Sequence, residues 1–254
     1  MATREGTDTA DRRDAVVLIH GAGMDSTVWR LQVDELAHRD HRPLALDLPA
    51  HGRSAGPALT SIVAMADWVA DAAETMGLDA AHIVGHSMGT YVALELAVRR
   101  PALVRSLTLC GTSTSMPVNP VLLDAAEHDL PAAAALMAKW SHARPAHDGH
   151  DAAARARSID EARAVVERSG PGVLATDLRA CVAYDRAMAA AAAVRCPTTV
   201  VIGLDDKMTP PEGGHALAAA FPSARVVELA DTGHSMMAEH PIGVQRAILD
   251  TVTD

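Results

Sequence analysis

Short apolar runs separated by helical patterns occupy most of this chain. Runs typical of strands lie at residues 16–19, 43–46, 81–84, 106–109, 200–202 and 225–229. Apolar residues spaced as on one face of a helix occur at residues 61–76, 91–98 and 242–252. Near-continuous apolar runs are typical of buried parallel strands, and their alternation with helices favours right-handed crossovers. The pattern predicts an α/β fold with a mostly parallel sheet of about six strands, flanked by helices.

The pattern changes between residues 116 and 193, where the strand signals disappear. This stretch is rich in alanine, and helical patterns occur at residues 121–126, 132–140, 159–168, 172–185 and 187–194. Because proline and glycine break the stretch at several points, we interpret it as a helical insertion between two strands. The predicted division is a core at residues 15–115 and 194–254 and a helical insertion at residues 116–193.

Residues 1–14 form a polar, charged segment without an apolar centre. Such a segment is neither a signal peptide nor a membrane span, and elsewhere no apolar run reaches the roughly 18 residues that a spanning helix needs. We therefore expect a loosely attached tail at residues 1–14 and no membrane-spanning segment.

The composition narrows the classes of partner. A net charge of −10 disfavours nucleic acid and anionic membrane surfaces. The three cysteines, Cys110, Cys181 and Cys196, are too few and scattered for a disulfide framework, which indicates reduced thiols in a cytoplasmic protein. Aromatic residues make up only 2% of the chain, so an aromatic cage is not expected. We expect a monomer or homodimer that acts on a small molecule without a cofactor.

The segment Gly85-His86-Ser87-Met88-Gly89 carries the clearest chemical signal. It has the pattern G-x-S-x-G, and it follows an apolar run and precedes a helical pattern. A serine on such a sharp strand-to-helix turn is exposed above the sheet, and the glycines avoid collisions with neighbouring backbone. The turn also directs the N–H of Met88 at whatever Ser87 attacks. Ser87 is therefore the predicted nucleophile.

An acid and a histidine follow Ser87 along the chain. Asp206 lies after the apolar run that ends at Gly203, and His234 lies further on, before Ser235. An imidazole can take the proton of a serine hydroxyl, and a carboxylate can fix the tautomer of that imidazole. Together with a glycine-bearing turn at residues 20–23, this order resembles that of the α/β-hydrolase superfamily, in its serine esterase-like branch.

The resemblance covers about residues 15–112 and 194–252 and includes the segments 47–54 and 203–210. The family places the acid three residues after the strand-ending glycine and four before a proline, which favours Asp206 over its neighbour Asp205. The resemblance implies the N–H groups of Ala22 and Met88 as the oxyanion hole. It also implies a shortened sheet, since the strands that usually precede the first glycine turn have no counterpart before residue 15.

The helical insertion takes the position of the family's cap, so we expect residues 116–193 to cover Ser87 and to govern the choice of substrate. Ligands of α/β sheets bind beyond the carboxyl ends of the strands, where the loops of the predicted site lie. The residues predicted to line the pocket are Gly21, Met24, Met116, Leu136, Met137, Met208, Ser235 and Met236. Such a lining favours a soft, largely apolar pocket.

The resemblance implies a serine hydrolase that cleaves a carboxylic ester of a small to medium, largely apolar substrate through an acyl-enzyme. Relatives with the same triad hydrolyse enol-lactones or carbon–carbon bonds, or act as cofactor-free, haloperoxidase-like perhydrolases, and the residues do not exclude these activities. Because a fold does not determine a function, a non-catalytic receptor for a small ligand is the alternative from a different class.

The remaining histidines have structural interpretations. His20 is expected to brace the glycine turn, and His86 is expected to pack beside the nucleophile. The segment with His142, His147 and His150 matches no zinc signature. We therefore expect a solvated hinge there and no metal ion.

Overall fold

The computed structural model describes residues 14–143 and 152–253. The strands are β1 (Ala15–Ile19), β2 (Arg42–Leu46), β3 (Ala81–His86), β4 (Val104–Cys110), β5 (Thr198–Gly203) and β6 (Arg225–Leu229). They form a six-stranded sheet in the order β2-β1-β3-β4-β5-β6. Every neighbouring pair is parallel. The predicted α/β architecture with a parallel sheet of about six strands is therefore confirmed.

The two edge strands differ from the prediction that the apolar runs are buried. Strands β1, β3 and β5 are buried along their whole length, and β4 is buried except at Arg105. Strand β2 is only half-buried, and β6 is mostly exposed until Leu229. Each of these two strands has a neighbouring strand on one side only, which leaves it more exposed. The apolar runs therefore predicted the two strands correctly but not their burial.

The helices of the described chain are α1 (Arg30–His38), α2 (Ile62–Thr75), α3 (Met88–Arg99), α4 (Pro120–His128), α5 (Leu130–Trp140), α6 (Ala152–Glu167), α7 (Val173–Ala183), α8 (Ala187–Ala193), α9 (Pro211–Ala218), α10 (Met236–Glu239) and α11 (Pro241–Thr253). A short 3-10 helix, Ser26–Trp29, precedes α1. The sequence pattern did not predict α1, α9 or α10. Helix α1 buries only Gln32 and Leu36, α9 contains two glycines, and α10 is a single turn, so none has a clear apolar stripe.

Helices cover both faces of the sheet. Successive side chains of a strand point to opposite faces, and in β1 Val17 and Ile19 join the larger core with α2 and α3. Val16 and Leu18 instead join a smaller core with Val244 and Ile248 of α11. This arrangement leaves the carboxyl ends of the strands as the edge at which loops can meet.

Helices α4 to α8 lie between β4 and β5 and pack on the core. Helices α7 and α8 contact α3, which follows Ser87. Buried residues of these helices, such as Leu122, Met137 and Leu178, belong to the larger core. The role of residues 116–193 as a cap that governs substrate choice stays a prediction.

The N-terminal expectation falls largely outside the described residues, since residues 1–13 are not among them. Asp14 is described, and its carboxylate accepts a hydrogen bond of 2.5 Å from the guanidinium of Arg105. Across the described residues, no helix has the length and apolar character needed to cross a membrane.

Candidate active site

Ser87 occupies a strained turn between β3 and α3. Its φ of 52° and ψ of −121° lie in a region that non-glycine residues seldom adopt. The flanking glycines are required by close backbone approach, because a Cβ at Gly85 would lie 2.3 Å from the carbonyl oxygen of Gly89. A Cβ at Gly89 would lie 2.3 Å from the carbonyl oxygen of Ile19. The G-x-S-x-G pattern therefore reflects packing of the turn against β1 and α3.

This packing predicts a large loss of stability for Gly89→Ala. The new methyl group would collide with the backbone of β1, which cannot move without disturbing the sheet, and we expect the free energy of unfolding to fall by about 3 kcal/mol. Gly170→Ala is the matched control, because its Cβ would only touch the side chain of Val173, at 3.3 Å. Urea unfolding of both variants measures the difference, and equal midpoints would refute the packing argument.

His234 and Asp206 form a buried pair at the carboxyl ends of β5 and β6. The His234 Nδ1–H donates to Asp206 Oδ2 at 2.7 Å, and both side chains are at most 1% exposed. Asp206 also accepts from the N–H groups of Met208 and Thr209 and from the Thr209 hydroxyl. Burial raises the pKa of the Asp206 carboxyl, but His234 and the Thr209 hydrogen bonds outweigh burial and hold that pKa below its ordinary value.

The ionised Asp206 fixes the proton of His234 on Nδ1, so Nε2 is left as a hydrogen-bond acceptor. Nε2 is buried and has no hydrogen-bond partner among the described residues. The neighbouring Asp205 is exposed, and its backbone N–H bonds the carbonyl of Thr232. Of the two candidate acids, only Asp206 therefore contacts the histidine.

The loop that carries His234 is held by several side chains. The Nε2–H of His86 donates to the His234 carbonyl at 2.9 Å, and the two rings lie 4.7 Å apart. Burial, followed by the proximity of His234, lowers the pKa of His86 to about 3, so this residue is neutral. Glu239 accepts hydrogen bonds from the N–H groups of Gly233 and Ala143. His86 is thus more than packing, since it fixes the backbone at His234.

The turn after β1 approaches Ser87 from the other side. A Cβ at Gly21 would lie 3.1 Å from the Cβ of Ser87. Neither the Ala22 N–H nor the Met88 N–H donates a hydrogen bond to another described residue. His20 braces this turn, because its Nδ1–H donates to the Gly21 carbonyl and its Nε2 accepts from the Leu48 N–H.

Ser87 and Ala22 open on a cavity of about 460 Å³. Among the described residues its other lining residues are Met116, Pro117, Val118, Asn119, Leu122, Met137, Trp140, Leu178, Cys181, Lys207, Met208 and Thr209. Most of the wall comes from the helical insertion between β4 and β5. Ser87, the predicted nucleophile, therefore lies at one edge of the sheet beside a largely apolar cavity and two N–H groups, on two separate turns, that donate to no other described residue.

Comparison with known proteins decides the family. A family model described as the alpha/beta hydrolase family matches residues 16–247. This chain belongs to the α/β-hydrolase family. It is 31% identical, over 92% of each chain, to the "Putative carbamate hydrolase RutD" of Pseudomonas savastanoi pv. phaseolicola (strain 1448A / Race 6).

Solved α/β-hydrolases share the whole fold. A thermophilic esterase from Thermogutta terrifontis, solved with malate bound, is 26% identical, with a TM-score of 0.83 over 94% of this chain and 89% of that one. The enol-lactonase from Burkholderia xenovorans LB400 has a TM-score of 0.86 over 96% of this chain and 92% of that one. Its 24% identity shows the shared fold alone. The chain is therefore an enzyme of the hydrolase class.

The predicted pocket residues of this α/β-hydrolase fall into two groups. Met116, Met137 and Met208 line the cavity at Ser87, and Gly21 lies directly against Ser87. Met24, Leu136, Ser235 and Met236 are not among the described residues that line that cavity, and their place in the substrate pocket stays a prediction. Met24 and Ser235 line a second cavity of about 400 Å³, between the 3-10 helix, α6 and α10.

Packing direction explains why Leu136 and Met236 lie away from that cavity. Leu136 is half-buried on a different side of α5 from Met137, because consecutive residues of a helix point about 100° apart. Met236 begins α10 and is fully buried in the smaller core with Val16 and Leu18. The sequence also missed Trp140, Cys181 and Lys207 as lining residues, although the periodicity of 132–140 did predict the helix that carries Trp140.

The histidine segment of the hydrolase differs in part from the expected solvated hinge. His142 is buried; its Nδ1–H donates to the Ala138 carbonyl, and Ser158 lies 2.9 Å from its Nε2. Burial lowers its pKa. His147 and His150 lie outside the described residues. Within residues 14–143 and 152–253, no group of three or more possible ligands is placed to hold a metal ion.

Proposed function

We propose that this α/β-hydrolase cleaves carboxylic esters of small to medium, largely apolar acyl groups through a covalent acyl-enzyme. The observation that carries the proposal is that Ser87 and Ala22 line one largely apolar cavity. The 26% identity to an esterase over 94% of this chain supports the same reaction class. The enzyme would work without a cofactor.

The proposed reaction begins with attack of the Ser87 Oγ on the ester carbonyl carbon. His234 Nε2 takes the hydroxyl proton, and the N–H groups of Ala22 and Met88 donate to the oxygen on which negative charge develops. His234 returns the proton to the leaving alcohol as its bond to the carbonyl carbon breaks. A water molecule then attacks the acyl-enzyme by the same route, which releases the acid and restores Ser87. Asp206 keeps the imidazole in the required tautomer and stabilises its cationic form.

Carbamate hydrolysis is the second candidate, because the relative that is 31% identical over nearly the full chain carries that name. The carbonyl of a carbamate would meet the same nucleophile and the same N–H donors. Enol-lactone hydrolysis, carbon–carbon cleavage, perhydrolysis and a non-catalytic receptor use no residue that distinguishes them from the ester reaction. The three free cysteines support the proposal of a reducing, cytoplasmic location.

A single panel compares ester, carbamate, enol-lactone and perhydrolysis activity and tests for a receptor without turnover. We would incubate the purified chain with a fluorophosphonate and identify the labelled residue by mass spectrometry. Turnover would then be compared for nitrophenyl butyrate, an aryl carbamate, an enol-lactone and peracid formation from acetate. Labelling of Ser87 with fastest turnover of the ester supports the proposal. Absence of both labelling and turnover would favour a receptor, and faster turnover of the carbamate would transfer the proposal to that substrate.

Met137→Trp is expected to change the acyl-chain preference of the enzyme. Met137 lines the cavity at Ser87, and tryptophan would remove volume that a longer acyl chain needs. We expect kcat/KM to fall by about tenfold or more for octanoate esters relative to acetate esters, since one or two methylene groups in an apolar pocket have effects of this size. A series of nitrophenyl esters measures the ratio.

Leu136→Trp is the matched control, because Leu136 is the adjacent residue of α5 and does not line the cavity. For this variant, the ratio of kcat/KM for octanoate esters to kcat/KM for acetate esters should stay within about threefold of the wild-type ratio. Equal shifts in both variants, or none in either, would remove Met137 from the argument on specificity.

A further inference from the structure

We propose that Asp177 of α7, acting with His51, is a positioning residue that holds the Ala22 N–H in the geometry needed for the reaction. The inference rests on the proposed function, because it assigns Ala22 to the oxyanion hole. It adds a side chain of the helical insertion to a proposed catalytic machinery whose other members, Ser87, His234, Asp206 and the two N–H groups, belong to the core.

Asp177 bonds the backbone directly beside Ala22. Its Oδ2 accepts a hydrogen bond of 2.8 Å from the Gly23 N–H, across 154 positions of sequence. Gly23 has a φ of +64°, and a Cβ there would lie 2.8 Å from the Cδ1 of Leu174, one turn before Asp177 on α7. One face of α7 therefore packs against Gly23 through Leu174 and accepts a hydrogen bond from the Gly23 N–H through Asp177.

The other end of the turn is held by a histidine of the core. The His20 Nδ1–H donates to the Gly21 carbonyl at 2.9 Å. The ring of His20 lies 4.7 Å from the ring of His51, and His51 Nε2–H donates to the same Asp177 oxygen at 2.8 Å. Ala22 thus sits between two anchored residues, and both anchors lead to Asp177.

The hydrogen bonds of His51 require the cationic form of its ring, with hydrogen on both nitrogens. Its Nδ1 faces the carbonyl of Pro49 at 3.0 Å and its Nε2 faces the carboxylate of Asp177. Because both partners are acceptors, both ring nitrogens must carry hydrogen. Burial lowers the pKa of His51, but the hydrogen bond and charge of Asp177 outweigh burial and leave that pKa above its ordinary value.

The charges around His51 are consistent with this assignment. Asp177 and His20 face it directly, and Asp47 lies close enough to His20 to affect that ring. Burial, followed by the positive charge of His51, lowers the pKa of His20 to about 4, so His20 is neutral. The pair of His51 and Asp177 is therefore a buried ion pair, at most 1% exposed on either side.

Stability alone does not account for this pair. A buried ion pair has a large desolvation cost, and apolar residues of similar volume are often as stable or more so. The second oxygen of Asp177, Oδ1, is buried with no hydrogen-bond partner among the described residues. What the pair does supply is a fixed direction for backbone N–H groups in an irregular turn, and catalytic donors must be held to within roughly 0.5 Å.

The position of Asp177 in the sequence indicates that its side chain has a buried partner. It lies on the buried stripe of α7 with Val173, Leu174, Leu178 and Cys181. A carboxylate at the centre of an apolar stripe predicts a partner on another element, because a buried charge is otherwise costly. Its partners, at positions 23 and 51, could not be identified without the tertiary structure.

The test uses Asp177→Asn in the full chain, with active sites counted by fluorophosphonate titration. Asparagine keeps the shape and an acceptor but loses the charge that holds His51 protonated. We expect kcat per titrated site to fall by about 30-fold or more with KM changed less than threefold, since loss of one oxyanion donor lowers kcat by about 10² to 10³. A purely structural role would lower the melting temperature or the number of active sites and leave kcat per site unchanged.

The pH dependence gives an independent readout. The raised pKa of His51 means that its charged pair with Asp177 is present below the ordinary histidine pKa, and is lost as pH rises through the folded-state value. The ratio of wild-type to Asp177→Asn kcat should therefore be largest below neutral pH and shrink towards one as pH rises. His51→Gln, which cannot ionise, is the second variant and replaces Asp177→Asn if that variant folds poorly. The ratio of wild-type to His51→Gln kcat should depend on pH in the same way.

Arg168→Gln is the matched control. It breaks another ion pair between the insertion and the same loop region, the 2.9 Å contact of Arg168 with Asp25, which does not touch Gly23. Its kcat per site should stay within about threefold of the wild type. The inference is overturned if Asp177→Asn and His51→Gln both keep wild-type kcat per site with a flat pH ratio. Failure of the proposed function is a different result, because Ser87→Ala would then retain turnover.

Discussion

Ser87→Ala is expected to lower kcat for nitrophenyl butyrate by about 10⁴-fold or more, to the level left by binding and the oxyanion donors alone. The substitution removes the only hydroxyl at the centre of the turn and keeps a Cβ, so the strained φ of 52° is unchanged. The melting temperature should therefore stay close to that of the wild type. Steady-state kinetics and thermal unfolding on the same preparation measure the two quantities.

Ser87→Gly provides a sharper companion to this experiment. Glycine adopts a positive φ without strain, so this variant should lose activity equally while its unfolding free energy is unchanged or rises by about 1 kcal/mol. Ser223→Ala, at an exposed serine far along the chain, controls for generic effects of removing a hydroxyl. Activity of Ser87→Ala within tenfold of the wild type would show that Ser87 is not the nucleophile.

Asp206→Asn is expected to lower kcat by about 10⁴-fold, because asparagine no longer fixes the proton of His234 on Nδ1. Asp206 lies 2.7 Å from that nitrogen and is buried. Thr209 and Met208 also bond its carboxylate, so part of the effect will be seen as reduced stability. Normalising kcat to sites titrated with fluorophosphonate separates the loss of folded enzyme from the loss of chemistry.

Asp205→Asn is the matched control at the adjacent position. Asp205 is exposed and contacts the chain through its backbone N–H, so kcat should change by less than about threefold. If the two variants exchanged ranks, Asp205 would be the acid that serves His234, and the register of this loop in solution would differ from the structure.

Much of the fold could be predicted because its signals are local. The run at residues 225–229 predicted β6, which the structure gives as Arg225–Leu229. The alternation of strands with helices predicted the parallel sheet, since periodicity over a few residues records which side chains face the core. The strained turn at Ser87 was likewise readable from its flanking glycines.

The lining of the cavity could not be predicted in the same way. Met137 and Met236 look alike in the sequence, each a methionine close to a predicted motif or helix. The structure places Met137 at the cavity beside Ser87 and Met236 in the smaller core. The difference depends on how α5 and α10 pack against the sheet, and a hydrophobic residue fits either environment equally well.

The sequence by itself determined the six strands, most of the helices and the turn at Ser87, and its resemblance to the family selected Asp206, which faces His234 in the structure. Each of these depends on spacing within a few residues. Only the tertiary structure decided that Asp177 meets Gly23 and His51, which lie 154 and 126 positions away. Contacts of this range arise when elements on separate parts of the chain pack at one sheet edge, and no local pattern records which of many buried surfaces will meet.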